Sequence, residues 1–267
     1  MPHSHSAIVA RLRAAGCVFA EDEAELLITA ARTPAELTAM VERRIVGVPL
    51  EQILGWAEFC GLRITVEPAV FVPRRRTELL VRQAHVLAGE GAGVVVVELC
   101  CGSGAVGAAL LARLARAEVY AADIDPAAVR CARRNIVGVG RVFEGDLYEP
   151  LPATLRGRVD ILVVNAPYVP TESIATMPPE ARLYESRAAL DGGTDGLDVQ
   201  RRVAAGASEW LAPGGHLLIE TSERQAPHTL DAVARSGLRA RVARSNELDG
   251  TVVIGTMLDQ PPGALSS

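Results

Sequence analysis

From residue 94 onward the chain alternates short apolar runs with amphipathic stretches. VVVVEL (94–99), EVYAAD (118–123), RVFEGD (141–146), VDILVVN (159–165) and GHLLIET (215–221) have the length and content of strands. The first is an apolar run, interrupted only by Glu98, bounded by glycines, the pattern of a parallel strand buried on both faces. Between these runs, GAVGAALLARLA (104–115), DPAAVRCARRN (125–135) and the stretches near 196–210 and 225–236 carry helical spacing. Asp125 followed by Pro126 predicts an N-cap with proline at the first helical position. LRARVARS and TVVIGTM flank Asp249-Gly250 and predict an antiparallel final pair. Strand and helix alternating over this length predict a doubly wound α/β sheet of seven strands whose last hairpin is antiparallel.

The first part of the chain is patterned differently. Ile8, Leu12 and Ala15 share one helical face, as do Ala24, Leu27, Ile28 and Ala31, and then Leu37, Met40, Val41 and Ile45. Thr33-Pro34-Ala35-Glu36 reads as a capping box. In WAEFCGLRITV (56–66), Leu62, Ile64 and Val66 alternate with Arg63 and Thr65, which predicts a hairpin. The expected organisation is a small helical N-terminal domain with this linker hairpin over residues 1–68, serving to dock a protein substrate, and a larger α/β domain over 69–267. The closing QPPGALSS reads as a frayed tail, and His3 and His5 as part of a disordered start.

Composition narrows the chemistry. No apolar run reaches the ~20 residues of a membrane helix, and the N-terminus lacks the apolar core of a signal peptide. The five cysteines form no metal-ligand spacing, so no metal is expected; reduced thiols in a cytoplasmic protein fit best. The formal charge of −5 argues against a dedicated nucleic-acid binder. There is no lysine, which excludes a Walker-type phosphate loop and Schiff-base chemistry.

CCGSGAVG holds G-x-G-x-x-G at Gly102, Gly104 and Gly107, after a strand and before a helix, and Asp123 ends the next strand about 20 residues on. That is a nucleotide-ribose arrangement, and by itself it fits a nicotinamide-dependent oxidoreductase too, or a tight turn that only packs helix on strand. Glu98 shifts the balance. A carboxylate before the glycines suits the cationic methionine end of S-adenosylmethionine (SAM) and suits a pyrophosphate badly. Asp146, with Leu147, ends the third strand where it can accept from an adenine amino group.

These motifs together resemble the class I SAM-dependent protein-(glutamine-N5) methyltransferases, which modify peptide release factors and, in a sister branch, a ribosomal protein. The resemblance runs from about residue 41 to 257. GVPLEQILGWAEFCGLRITVEPAVFVPRRRTELLV is similar to the family's linker hairpin and V-P-R-P-[ED]-T-E signature. ELCCGSGA is similar to its D-L-[GC]-T-G-S-G loop. VYAADIDPAAVRCARRN, GDLYEPL, VVNAPY, ALDGGTDGLD and LLIETSERQ follow in the family's order. The resemblance implies a cofactor set of Glu98, Cys100, Cys101, Gly102, Ser103, Gly104, Asp123, Ile124, Asp146, Leu147 and Asn165. It implies a catalytic turn of Asn165, Ala166, Pro167 and Tyr168, and a release factor as the expected protein partner. The chain departs from the family at Ala166, where N-P-P-Y is usual, at Arg75 and Arg76 in place of proline and an acid, and at Gln52, where tyrosine is common.

The turn suits an amide. The nitrogen of a carboxamide is a poor nucleophile because its lone pair is delocalised. Asn165 Oδ1 and the Ala166 carbonyl can each accept one N–H, Pro167 keeps Ala166 extended, and Tyr168 can pack on the flat group. Three other readings stand beside this one: an adenine-N6 DNA methyltransferase, whose flipped base also presents a planar amino group; the oxidoreductase above; and a SAM-binding module without activity. Arg74 to Arg76 read either as a partner- or cofactor-binding cluster or as an inert solvated run. His216 reads as a core residue.

Overall fold

The computed structural model describes residues 4–89, 93–138 and 140–258. His3 and the 260–267 tail lie outside them; His5 opens the first helix and is no part of a disordered start. The N-terminal part consists of α1 (His5–Ala14), α2 (Ala20–Ala30), α3 (Pro34–Ile45) and the short α4 (Leu50–Leu54). Their inward faces bring Ile8, Leu12, Leu27, Met40 and Val41 into one apolar cluster. Thr33 caps α3 as expected, its Oγ1 accepting from Glu36 N at 3.1 Å. The return half of the capping box reaches one residue further back: Glu36 Oε2 accepts from Arg32 N, not from Thr33 N. Extended backbone at Thr33 (φ −140°) places the Arg32 amide within the glutamate's reach.

The hairpin β1 (Trp56–Phe59) and β2 (Leu62–Thr65) pairs antiparallel. Its Phe59 and Ile64 pack into a core of the large sheet and not among the N-terminal helices. Asn135 bonds both the N–H and the C=O of Thr65, at 2.9 Å each, tying the hairpin to the α/β part.

After α5 (Glu78–Ala88) come β3 (Val95–Leu99), α6 (Ala105–Arg113), β4 (Glu118–Asp123), α7 (Pro126–Asn135), β5 (Arg141–Glu144), β6 (Val159–Val164), α8 (Pro179–Tyr184), α9 (Asp198–Trp210), β7 (Leu211–Thr221), α10 (Ala226–Arg235), β8 (Arg239–Ser245) and β9 (Gly250–Thr256). The seven-stranded sheet has the order β5-β4-β3-β6-β7-β9-β8. β3 through β7 are parallel, and β9 runs antiparallel to both β7 and β8. The period-two alternation of strands divides their side chains between two cores. Val96, Ile161, Val163 and Leu218 face α5 and α6, while Val97, Leu162, Val164, Leu217 and Ile219 face α9 and α10. The strand order reverses between β3 and β6, so the loops after them diverge and open a crevice where ligands bind in such sheets. Asp125 caps α7 as expected, accepting from Ala127 N at 2.8 Å. Among the described residues no helix is long and apolar enough to cross a membrane.

Candidate active site

A cavity of about 330 Å³ opens at this crevice, lined among others by Glu98, Cys100–Ser103, Asp123, Ile124, Asp146, Leu147 and Asn165–Tyr168. All but one of the predicted site residues thus line one space. The exception is Gly104, which stands behind the wall. Its backbone is left-handed (φ +73°), and a Cβ there would come within 2.9 Å of Ile136 Cδ1 and 3.0 Å of Ala132 Cβ. It is glycine because α6 and α7 approach closely, a packing reason where ligand approach was expected. The same holds for Gly107, where a Cβ would meet Glu98 Oε2 at 2.6 Å. Gly102 (φ +53°) faces the cavity with open room. Cys100 (φ 54°) and Leu147 (φ 49°) are left-handed without being glycine, a conformation costing about 1–2 kcal/mol per residue that the surrounding packing must enforce.

The carboxylates at this end are engaged by backbone. Asp123 Oδ2 accepts from Gly102 N at 2.8 Å and its Oδ1 from Asp125 N at 2.9 Å; each oxygen keeps a second lone pair. Burial pushes its carboxyl above the ordinary range. Glu98 is buried on β3, its Oε2 accepting from Gly107 N at 2.8 Å. Desolvation pushes it up to about 8, against the lowering by that backbone bond. Asp146 is paired with Arg202 at 2.6 Å, which the sequence reading did not foresee. Ile124, 58% exposed, and Leu147 supply apolar surface. A buried carboxyl that an approaching cation would ionise, a carboxyl with spare lone pairs at a strand end, and apolar side chains beside it fit the ammonium, ribose and base of SAM. Burial raises both Cys100 and Cys101 well above the usual thiol range, so neither is a thiolate nucleophile. No cluster of potential metal ligands occurs among the described residues.

At the other end, β6 delivers Asn165. Its Nδ2 donates to Thr77 Oγ1 at 3.4 Å, leaving Oδ1 for the cavity. Ala166 is 1% exposed, and no donor among the described residues reaches its carbonyl. The Arg76 guanidinium lies 5.9 Å from the Tyr168 ring centre. The turn is braced from behind. Gln225 Nε2 donates to the Tyr168 carbonyl at 2.9 Å and to the Asp195 carbonyl at 3.1 Å. Gly192 N donates to Val169 O at 2.9 Å, and a Cβ on Gly192 would stand 2.7 Å from Pro167 O. These braces come from ALDGGTDGLD and LLIETSERQ, stretches that sequence reasoning matched to the family without assigning them work.

Two of the three clustered arginines pair with buried carboxylates. Arg74 pairs with buried Glu185 at 2.6 Å and Arg76 with buried Glu220 at 3.3 Å; neither is part of an inert solvated run. Gln52 donates to Val70 O at 3.2 Å and Tyr184 O at 3.0 Å, joining α4 to the segment after the catalytic turn. His216 is half-buried, its Nδ1 at 3.0 Å from Thr256 Oγ1, and is not among the residues lining the cavity.

Sheet order, switch-point cavity and donor set together define a class I SAM-dependent methyltransferase. Residues 62–195 match the methyltransferase small domain. The chain is 42% identical to the release factor glutamine methyltransferase of Geobacter sulfurreducens over 210 residues, covering 76% of this chain and 72% of that one. It therefore belongs to the release factor glutamine methyltransferase family. It is also 37% identical to the 4-amino-L-phenylalanine/4-methylamino-L-phenylalanine methyltransferase of Streptomyces pristinaespiralis, covering 72% of this chain and 67% of that one. A methyltransferase crystal structure from Pyrococcus furiosus superposes with a TM-score of 0.57 at 16% identity, covering 83% of this chain and 99% of that one, a likeness of fold.

Proposed function

We propose that this chain methylates the side-chain amide nitrogen of a glutamine in a peptide chain release factor. The observation that carries this reading is that Asn165 and Ala166 line the cavity that the glycine loop also lines, while no donor among the described residues reaches Asn165 Oδ1 or the Ala166 carbonyl. SAM supplies an electrophilic methyl. Glu98 holds its ammonium, Asp123 its ribose hydroxyls, and Ile124 and Leu147 its adenine, with Asp146 at the ring edge. Asn165 and Ala166 would each accept a hydrogen bond from one amide N–H, which holds the nitrogen in line and draws electron density onto it; as the N–C bond forms and the S–CH₃ bond breaks to leave the thioether, one amide proton departs to solvent. Tyr168 covers the flat face. Alignment of this kind contributes roughly 7–11 kcal/mol in well-oriented reactions.

Residues 1–68 are proposed to dock the protein substrate. The N-terminal helices are fastened to the segment beside the cavity through Arg44, which bonds Glu23 on α2 and Glu180 on α8, and through Gln52. The Streptomyces relative supports a second reading, a small amine bearing a carboxylate, favoured by the Arg76 cation at the substrate end.

Purified enzyme, SAM and purified release factor, followed by peptide mass spectrometry, test the proposal. One added methyl on a single glutamine is expected. An unmodified release factor under conditions where 4-amino-phenylalanine is methylated overturns it in favour of the second reading.

A further inference from the structure

Gln52 stands where the resembling family commonly has tyrosine. It belongs to α4 in the N-terminal part and is 6% exposed. Its Nε2 has two hydrogens and donates to two carbonyls, Val70 O at 3.2 Å and Tyr184 O at 3.0 Å. Among the described residues no other donor reaches either carbonyl. A carbonyl only accepts, so the carboxamide must present its nitrogen to both. A tyrosine has a single hydroxyl proton and could serve one of them.

The two carbonyls belong to two segments that together form a wall of the cavity. Val70 and Phe71 line it from one segment, Glu185, Ser186 and Leu190 from the other. The segments meet in a short parallel contact of Ala69 with Glu185. Ser186 N donates to Ala69 O at 3.0 Å, and Val72 N donates to Glu185 Oε1 at 3.1 Å. Ala69 is left-handed there (φ 67°) without being glycine, a conformation that its surroundings must hold in place. The wall stands against the glycine loop, since a Cβ on Gly102 would lie 3.9 Å from Phe71 Cβ. A residue of the N-terminal helices therefore closes a join beside the cofactor loop.

We propose that Gln52 is a positioning residue for SAM: its two hydrogen bonds hold residues 69–72 and 184–186 together over the cofactor loop, so that the N-terminal part completes the cofactor site. The proposal rests on SAM as the cofactor and is independent of which molecule receives the methyl. Coupling of this kind is reciprocal. A closed wall that favours bound SAM is itself favoured by bound SAM.

Hydrogen exchange reads the wall directly. In the wild-type chain, SAM at about ten times its Kd is expected to slow exchange of the Ser186 and Val72 amides about tenfold, the factor by which binding disfavours an opening that releases it. Exchange at both amides unchanged by SAM overturns the proposal, and this measurement needs no variant to fold. Gln52→Leu keeps bulk without donors, and Gln52→Glu keeps the shape with acceptors only. Each is expected to raise the Kd for SAM about tenfold in calorimetry, as befits the loss of two hydrogen bonds of ordinary net strength. Each should also speed exchange at Ser186 and Val72 while the amides of β6 keep their wild-type protection. Wild-type SAM affinity in either variant overturns the proposal. So does an equal loss of protection in β6, which marks a fold weakened throughout and not an opened wall. No methyl acceptor enters these measurements, so an enzyme that ignores release factors fails the functional reading alone.

Discussion

At the end of the cavity built by β3, β4 and β5, polar side chains are engaged before any ligand arrives. Glu98 holds Gly107 N, Asp123 holds Gly102 N and Asp125 N, and Asp146 holds Arg202. At the end built by β6, Asn165 and Ala166 line the same space and no donor among the described residues reaches Asn165 Oδ1 or the Ala166 carbonyl, while Gln225 and Gly192 brace the turn from behind. The contrast follows from what each end must do. A cofactor recognised by many contacts is met by spare lone pairs on rigid carboxylates. A single –NH₂ group must find its acceptors vacant and aimed, because competing internal bonds would have to break at each turnover. Unsatisfied acceptors near a cavity are tolerable when water can reach them, whereas sealed ones cost about 1–3 kcal/mol each.

The largest effect belongs to the vacant end. Asn165→Ala removes one of the two acceptors and is expected to lower kcat by about 10²–10³-fold. SAM affinity by calorimetry should change far less. An equal loss in both would show that Asn165 serves the cofactor and would dissolve the contrast.

Gly102 and Gly104 sharpen the other end. Gly104→Ala puts a methyl against Ile136 and Ala132 in left-handed backbone and is expected to cost about 2–4 kcal/mol of stability, combining overpacking with the backbone penalty. Gly102→Ala meets only Phe71 Cβ at 3.9 Å, so its cost is about 1–2 kcal/mol from backbone alone, with SAM affinity falling instead. Urea melts and cofactor titration on the same two variants separate a packing glycine from a ligand-facing one.

That pair also shows where the sequence was legible and where it was not. Apolar periodicity located the parallel strands, and Thr33 and Asp125 marked helix starts, because those signals are local. The turn Asn165–Tyr168 was legible because four neighbouring residues carry its chemistry. Gly104 lies outside the cavity lining, and a tight helix crossing and a ligand approach both demand glycine, so the sequence alone could not separate them. Thr77, which Asn165 Nδ2 meets, was not singled out, since packing of the start of α5 against the sheet brings the two together and no spacing does. Arg74 and Arg76 gave no sign of their partners because Glu185 and Glu220, the buried carboxylates they pair with, lie far along the chain. Residues 171–189 fold as short helical turns without a repeating apolar face, so periodicity had nothing to report.

A smaller effect tests the charge of the cofactor end. Glu98 is held near 8, above its ordinary 4.5. The folded protein keeps this proton in that interval while the unfolded chain loses it. Its contribution to stability is therefore fully present below about 4.5 and is lost as pH rises through 8. Glu98→Gln, whose carboxamide oxygen can still accept from Gly107 N, should flatten the stability profile over that range in chemical melts. An ammonium group beside Glu98 favours its ionised form, so SAM binding near pH 7 should release a proton, read by calorimetry in buffers of different ionisation heat. No proton release would place the ammonium elsewhere.

The smallest effect is expected where the chain departs most visibly from its family. Ala166→Pro restores N-P-P-Y. Proline removes a backbone N–H, but among the described residues the Ala166 N–H donates to no acceptor, so no bond is lost. Proline also biases the preceding residue toward extended backbone, the conformation in which a strand already delivers Asn165. The reacting oxygens, Asn165 Oδ1 and the carbonyl of residue 166, are present in both versions. Ala166 is packed among Leu99, Val164 and their neighbours, so the added ring must be accommodated at about 1–3 kcal/mol of overpacking, which a urea melt reads. kcat on the amide substrate should stay within about threefold of wild type, since a change under 1 kcal/mol in barrier is all that this small repositioning provides. A gain of a hundredfold would mean that proline shapes the acceptor pair, and that alanine at 166 has traded amide chemistry for another amine.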